Sequence, residues 1–385
     1  MWLYGSAGVG KSAIAQTVAE HCLTNNRLGA AFFFSRGDSE RNNANRLFPT
    51  LAWQLLSSIS EIKAHISASM KNDAFLPARS MGIQFEELIV SPFRPTADYN
   101  PPRTSRIVII DGVDECADEM IQHHFLSLIG TSIDNGGLPL RFLICSRPEP
   151  HIREAFDQSI FLSVTSRIVL DDALHSYNDI KRYFVDEFSR ISTERKIASD
   201  TWPPEGVVDC LVQNSSGQFI YAATVVKFVG DKYACPRKQL DIVLGIRCRR
   251  GGPSPFADLD QLYLEILVRQ PDQQFLRDFF DLWWLDLKGN LGMLDFIKLS
   301  AICLDLDLVR GELGAKLRGL HSLLDINISV SIRAYHASFL EFLGDSTRSG
   351  QYCLDIQSGS RTFTRLFLTA MVSNIQLARC ILSVK

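Results

Sequence analysis

The first 170 residues alternate short hydrophobic runs with segments whose apolar residues recur at helical spacing. This alternation is typical of a parallel sheet covered by helices. Helical spacing appears in Ala13–Cys22 and Leu47–Ile59, and residues 60–84 are also predicted to be helical. Four prolines between Ser91 and Arg103 predict a loop. The predicted strands are Trp2–Tyr4, Ala30–Ser35, Arg106–Ile110 and Leu140–Cys145.

Beyond about residue 171 the strand pattern fades and helical patterns dominate. Helices are predicted at Asp179–Ile191, Val207–Val229 and Leu259–Leu267, with Gly217 as a weak point in the second. The basic segment Arg247–Pro255, rich in glycine and proline, predicts a solvated linker. The chain is therefore predicted to be α/β first and then all-α.

Composition narrows the classes of partner. The 385 residues carry a formal net charge of −3, and this near-balance gives no sign of binding to nucleic acid or to an anionic membrane surface. No apolar run approaches the roughly 20 residues that span a bilayer. The nine cysteines are scattered without the spacing of a zinc site or a disulfide framework, which favours a reducing, cytoplasmic location.

The most informative motif is Gly5-Ser6-Ala7-Gly8-Val9-Gly10-Lys11-Ser12, between the first predicted strand and the first predicted helix. Its spacing, G-x-x-x-x-G-K-S, is that of a phosphate-binding loop. Glycines let the backbone curl so that its N–H groups point inward, and the following helix adds its positive dipole end. We predict that Gly5 to Ala13 bind a nucleoside triphosphate, with Lys11 on the β- and γ-phosphates and Ser12 on Mg²⁺. The alternative is a glycine-rich turn that caps an ordinary helix.

A second motif, Asp111-Gly112-Val113-Asp114-Glu115, follows the hydrophobic strand Arg106–Ile110. A strand that ends in an aspartate places a carboxylate at the carboxyl edge of the sheet, beside the phosphate loop. Asp111 is therefore the predicted partner of Mg²⁺, through a water molecule. Asp114 and Glu115 are predicted to lie within reach of an attacking water, with Glu115 preferred as the base. The alternative is that Asp114, Glu115 and Asp118 only supply negative charge to the first turn of a helix.

A third motif, Leu143-Ile144-Cys145-Ser146-Arg147, ends in an arginine. A strand that ends here would point the Arg147 guanidinium toward the terminal phosphate. The planar guanidinium can donate two parallel hydrogen bonds to phosphate oxygens. We predict a catalytic role for Arg147. The alternative is a solvent-facing arginine at the end of a strand.

Together these pieces resemble the NACHT family of STAND NTPases, relatives of the AAA+ ATPases. The likeness is closest to the large fungal NACHT group, with its nephrocystin-3-type N-terminal NTPase region, and blocks that resemble this group cover nearly the whole chain. Three motifs carry it. The phosphate loop Gly5–Ser12 and Asp111-Gly112-Val113-Asp114-Glu115 are specific for the class, and Tyr335-His336-Ala337-Ser338-Phe339-Leu340-Glu341-Phe342-Leu343 is specific for the subgroup.

The resemblance implies a P-loop NTPase sheet sandwiched by helices, then a small helical domain and a winged-helix domain. The corresponding boundaries are 1–170, 171–250 and 256–345, with a further helical segment over 346–385. In relatives ADP is clamped between these modules and a winged-helix histidine touches its β-phosphate. His336 matches that position, although Ala337 stands where the related pattern has Asp. The alternative is that His336 is a packed core residue.

The resemblance also implies a function: a switch that exchanges ADP for ATP, self-associates in the ATP state and hydrolyses ATP slowly. Family members carry effector and sensor modules and residues upstream of the first strand; only Met1–Tyr4 precede Gly5 here, so we expect weakened or donated base contacts. Two alternatives stay open: a non-hydrolysing truncated scaffold, and a general AAA+-like ATPase. A kinase is disfavoured because no acceptor site can be identified in the sequence.

Overall fold

The computed structural model divides the chain into two compact units, Met1–Asp172 (unit 1) and Ala173–Lys385 (unit 2). It describes residues 1–36, 38, 40–94, 105–134, 138–170, 173–197, 202–245, 256–289, 296–306, 311–327 and 331–383. The predicted linker Arg247–Pro255 and most of the predicted loop Ser91–Arg103 lie outside these residues. The predicted domain boundaries stay predictions.

Unit 1 is built on strands that alternate with helices. Its strands are β1 Trp2–Tyr4, β2 Leu28–Phe33, β3 Arg106–Asp111, β4 Leu140–Ser146 and β5 Arg167–Val169. Its helices are α1 Lys11–Thr24, α2 Leu47–Ser58, α3 Lys63–Asn72, α4 Met81–Phe85, α5 Glu119–Asp134, α6 Pro150–Asp157 and α7 Ser159–Leu162. β1 to β4 confirm the four predicted strands. β5 was not predicted, because all three of its residues are exposed and give no buried hydrophobic run.

The strands form one five-stranded sheet in the order β2-β3-β4-β1-β5, and every neighbouring pair is parallel. β4 lies between β3 and β1, so Ile144 is opposite both Ile110 and Trp2. The carboxyl ends of three strands, at Tyr4, Asp111 and Ser146, therefore meet at one edge of the sheet.

Side chains of β3 alternate between two hydrophobic layers, as the period of a strand requires. Val108 and Ile110 belong to a large layer with α2, α5 and α6, whereas Ile109 packs with Ala15 and Ala19 of α1. The sheet is thus flanked by helices on both faces, as predicted. The outcome is an α/β unit whose first helix, α1, runs directly from the glycine loop.

Unit 2 is mostly helical. Its helices are α8 Ala173–Glu194, α9 Val207–Asn214, α10 Phe219–Val229, α11 Pro236–Gly245, α12 Ala257–Val268, α13 Gln273–Leu287, α14 Phe296–Cys303, α15 Glu312–Leu317, α16 Ala337–Gly344, α17 Ser346–Ser349 and α18 Ile356–Ser383. A hairpin of β6 Leu324–Asn327 and β7 Ser331–Ala334, not predicted from the sequence, pairs antiparallel. No helix in the described ranges is both long enough and apolar enough to cross a bilayer.

One predicted helix, Val207–Val229, is wrong as a single element. It is two helices, α9 and α10, which are separated by Ser216 and Gly217 with φ of 48° and 77°. Two successive residues in the left-handed region end a helix, and glycine adopts that region without steric cost. The weak point at Gly217 is therefore a complete break.

Candidate functional site

The loop Gly5–Ser12 joins β1 to α1 at the carboxyl edge of the sheet. Gly8 and Gly10 have φ of 79° and 96°, a region that side chains disfavour, so the curl of the loop depends on glycine at both positions. The Lys11 ammonium donates to the carbonyl oxygens of Gly5 at 2.8 Å and Ser6 at 2.7 Å. Lys11 thus folds back over its own loop. Of the predicted nucleotide contacts in unit 1, Gly5, Ala7 and Gly8 are buried, Val9, Gly10 and Lys11 are half-buried, and Ser6, Ser12 and Ala13 are exposed.

Asp111 is buried at the end of β3, next to this loop, with 3% of its surface exposed. The Ser12 hydroxyl hydrogen-bonds its carboxylate, and the Lys11 ammonium attracts it. Burial raises the pKa of Asp111 to about 6, and the neighbouring Asp114 adds to this rise, while Ser12 and Lys11 oppose it. Its Oδ1 atom is buried with no hydrogen-bond partner among the described residues. The structure therefore brings Lys11, Ser12 and Asp111 together, as the sequence predicted.

The Asp114 carboxylate contacts both the backbone and the side chain of Arg147, which directly follows β4. The Arg147 backbone N–H donates to Asp114 Oδ1 at 2.8 Å, and Arg147 Nε lies 3.2 Å from Oδ2. The two side chains are only 4% and 17% exposed, so Arg147 is not a solvent-facing residue. Asp114 thus holds both the backbone and the side chain of Arg147 at the carboxyl edge of the sheet.

Glu115 lies in a 3-10 turn, Val113–Glu115, that precedes α5. Its Oε2 accepts the Arg36 backbone N–H at 2.9 Å. Burial raises the pKa of Glu115 to about 7, with the Arg36 N–H opposing this rise and Asp114 adding to it. A carboxyl with a pKa near neutrality is suited to general-base chemistry.

Gly112 makes this turn possible. Its φ is 71°, and a Cβ added there would lie 3.3 Å from the Phe34 carbonyl oxygen. The alternative interpretation of the acids, charge in the first turn of a helix, applies to Asp118 instead. Asp118 Oδ1 accepts the N–H groups of Met120 and Ile121 at 2.8 and 3.1 Å, at the start of α5.

Sequence reasoning missed two residues of this site. Arg36, just beyond β2, donates from Nη2 to the Asp114 carbonyl oxygen at 3.0 Å, in addition to its contact with Glu115. Cys145, on β4, hydrogen-bonds the Asp111 carboxylate through its thiol, and burial raises the pKa of that thiol. Arg36 could have been found from the sequence, because it directly follows the predicted strand Ala30–Ser35, as Arg147 follows β4.

His336 belongs to unit 2, where it is the N-cap of α16. Its Nδ1 accepts the Ser338 N–H at 3.0 Å and lies 2.8 Å from Ser338 Oγ, which is 2.9 Å from the Tyr263 hydroxyl. A backbone N–H only donates, so Nδ1 is unprotonated and the neutral ring carries its proton on Nε2. His336 is half-buried, in contrast to the buried Ala337 and Ser338 that follow it. Its function toward a nucleotide stays a prediction.

The burial of Asp111 gives a stability prediction for unit 1. We expect Asp111→Asn to increase the free energy of unfolding at about pH 7.5 by on the order of 3 kcal/mol, since one pKa unit corresponds to about 1.4 kcal/mol. The folded-state pKa, about 6, lies above the ordinary value of 3.8, so ionisation destabilises the fold as the pH rises from 4 to 6. Urea unfolding of parent and variant without nucleotide measures this difference. The increase in the free energy of unfolding should be seen at neutral pH and should disappear toward pH 4.

The matched control for this prediction is Asp134→Asn, at the end of α5. It should leave the free energy of unfolding unchanged at either pH. A gain for Asp111→Asn that persists at pH 4, or a loss at pH 7.5, would show that ionised Asp111 does not destabilise the fold.

Comparison with known families bears on unit 1 alone. The family model described as Nephrocystin 3, N-terminal, matches residues 1–147. This segment begins with β1 and ends at Arg147, so it contains every predicted site residue of unit 1. The match is consistent with a NACHT-like N-terminal region. No curated protein matches the chain.

Proposed function

We propose that this chain is a NACHT-type STAND switch that binds ATP or ADP with Mg²⁺, self-associates in the ATP state and hydrolyses ATP slowly. The observation that carries the proposal is the convergence of the glycine loop, Lys11 and Asp111 at one edge of a parallel sheet. The similarity of residues 1–147 to the nephrocystin 3 N-terminal family supports it. Ligands of open α/β sheets bind at this edge.

The residues at this edge suit a magnesium ion. Mg²⁺ prefers oxygen ligands, and usually takes one or two from the protein together with phosphates and waters. The Ser12 hydroxyl would supply one oxygen to the ion, and Asp111 Oδ1, buried without a partner among the described residues, would supply a second, directly or through water. When bound, Mg²⁺ would neutralise charge on the phosphate oxygens.

The other polar residues of the site have different proposed roles in hydrolysis. Glu115 orients the attacking water and accepts its proton, with Oε2 held by the Arg36 N–H. Arg147 supplies positive charge at the same edge, with its guanidinium held by Asp114. Asp114 and Arg36 are positioning residues in this proposal, because each acts through another side chain.

For unit 2 we propose that residues 256–345 form a winged-helix-like domain. The β6–β7 hairpin between α15 and α16 supports this, because a winged helix places a hairpin among its helices. His336 would donate from Nε2 to the β-phosphate of ADP, favouring the ADP-bound form. Ser338 and Tyr263 hold the ring in the tautomer that this contact needs.

The role of His336 can be separated from its structural role. His336→Ala removes both the proposed phosphate contact and the helix cap, whereas His336→Asn keeps a good cap. We expect both variants to release ADP about tenfold faster, the loss of one hydrogen bond to a charged group, and to assemble more readily. Stopped-flow release of a fluorescent ADP measures this. If ADP release is normal in His336→Asn, the histidine acts only as a cap.

The experiment that tests the whole proposal is the nucleotide retained by the purified chain, together with its oligomeric state in ATP and in ADP. The proposal predicts bound ADP, and larger assemblies with ATP than with ADP. Absence of nucleotide and of Mg-ATP binding would instead support a scaffold. ATP binding with rapid turnover, and the same assembly in both nucleotides, would support a general AAA+-like ATPase. Effector and sensor partners would be supplied by other modules or proteins.

A further inference from the structure

Unit 2 contains a cleft of about 660 Å³ that its proposed function does not use. Helices α8 and α10 and the turn after α10 line it, together with Gly314, Arg318, His321, Ile326 and Tyr335. Its size is within the range of pockets that bind small molecules. The charged lining residues are four cations and two carboxylates: Arg190, Lys227, Lys232, Arg318, Glu187 and Asp231.

Lys227 is the most unusual of these cations. Its ammonium lies over the ring of Tyr335, and no described carboxylate forms an ion pair with it. Burial lowers the pKa of Lys227 to about 8, and the attraction of Asp325 opposes this only in part. Taking a half-buried ammonium out of water without an anion is unfavourable. An anionic ligand would remove this cost.

His321 fixes the position of Lys227 relative to Arg318. Its two ring nitrogens lie 3.0 Å from the Lys227 carbonyl oxygen and 3.1 Å from the Arg318 carbonyl oxygen. The histidine thus ties α10 to the turn that carries Arg318. Two cations from separate segments of the chain are in this way held on one cleft.

Aromatic side chains complete the lining. Tyr335 and Tyr233 are 47% and 61% exposed, so their rings are accessible to a molecule bound in the cleft. Arg318 lies over the Tyr233 ring, with its guanidinium carbon 4.2 Å from the ring centroid. By contrast, Arg190 is already paired with Glu187 and Glu194 of its own helix. The cations best placed for a ligand are therefore Lys227 and Arg318.

We propose that this cleft binds a small phosphorylated ligand, with Lys227 and Arg318 on the phosphate and the tyrosines against the rest of the molecule. Arginine pairs bidentately with phosphate oxygens, and lysine adds a point charge. A tyrosine hydroxyl can also donate to a phosphate oxygen. All the residues that line the cleft belong to unit 2, and none of them is a predicted nucleotide contact.

Trace acetylation of the full chain at about pH 8, read lysine by lysine by mass spectrometry, tests this site directly. We expect pyrophosphate to slow acetylation of Lys227 at least about fivefold, because a bound phosphate keeps its ammonium protonated and covered. Lys288, which lies over the Trp284 ring outside the cleft, is the matched control and should not change. Sodium chloride at the same ionic strength controls for screening. Equal slowing of Lys227 by sodium chloride, or equal slowing of both lysines, would overturn the proposal.

Comparison of phenyl phosphate with inorganic phosphate shows whether the cleft prefers an organic phosphate or free phosphate. Stronger protection of Lys227 by phenyl phosphate than by inorganic phosphate indicates an organic phosphate with a ring against the tyrosines, whereas equal protection indicates free phosphate. Arg318→Gln, a change at an exposed residue, should raise the half-protecting concentration about tenfold, and the exposed Arg361→Gln should not. An unchanged concentration in Arg318→Gln would remove Arg318 from the site. Repeating the assay in Lys11→Ala keeps this result independent of the proposed nucleotide site.

Discussion

Replacing Lys11 by alanine is expected to lower the affinity for Mg-ATP at least about 100-fold, or about 3 kcal/mol. The Lys11 ammonium lies over the loop, where it donates to the Gly5 and Ser6 carbonyl oxygens and faces the Asp111 carboxylate. Phosphate oxygens would accept from the same ammonium in charge-assisted bonds, which are stronger than those to neutral carbonyls. Removing the ammonium leaves the acidic Asp111 without its compensating charge from the loop. Isothermal titration calorimetry measures the affinity.

The control for Lys11→Ala is Lys71→Ala, a change at an exposed lysine of α3. This variant should bind Mg-ATP like the parent, because Lys71 makes no contribution at the carboxyl edge of the sheet. Thermal unfolding of both variants checks that the loop still folds. Equal affinity in Lys11→Ala and the parent would disprove the role of the loop, and the scaffold alternative would then be preferred.

Sequence alone identified the strands that build the site, because three buried hydrophobic runs each end in a chemically distinctive group. Those groups are the glycine loop after Tyr4, Asp111, and Ser146-Arg147. Parallel strands present their carboxyl ends at one edge, so the grouping could be inferred without coordinates. The order of the strands in the sheet could not be inferred in this way. Only the structure shows that β4, which precedes Arg147, lies between β1, which precedes the loop, and β3, which ends in Asp111.

The hydrogen bonds and the ion pair within the site could not be predicted from the sequence, because they depend on the directions of side chains from distant segments of the chain. Arg147 and Asp114 are 33 residues apart, and Arg36 and Glu115 are 79 apart. Spacing gave no reason to pair them. Asp114 therefore stayed a second candidate for water activation beside the preferred Glu115 until the structure placed it with Arg147. The hairpin β6–β7 was missed for a different reason: two strands of four residues are too short for a clear alternation.

Glu115→Gln is expected to bind Mg-ATP with the affinity of the parent and to hydrolyse it at least about 100-fold more slowly. Glutamine keeps the size of the side chain and can still accept the Arg36 N–H, but it cannot take a proton from water. The fold should tolerate the change, because the raised pKa of Glu115, about 7, means that ionisation at neutral pH already destabilises the folded chain. Single-turnover hydrolysis with bound ATP measures the effect. The exposed Glu20→Gln, on α1, is the matched control.

The pH dependence of hydrolysis makes this prediction specific to Glu115. The ionised carboxylate is the active base, so the parent rate should rise with pH through about 7 and level off above it. Below pH 6 it should fall about tenfold for each unit, as for a single ionising group. Glu115→Gln should lose this rise, because no group of the same pKa replaces the carboxylate. Unchanged turnover in Glu115→Gln would transfer the base to Asp114, and Asp114→Asn, which frees Arg147 from its acidic partner, would then become the variant that abolishes hydrolysis.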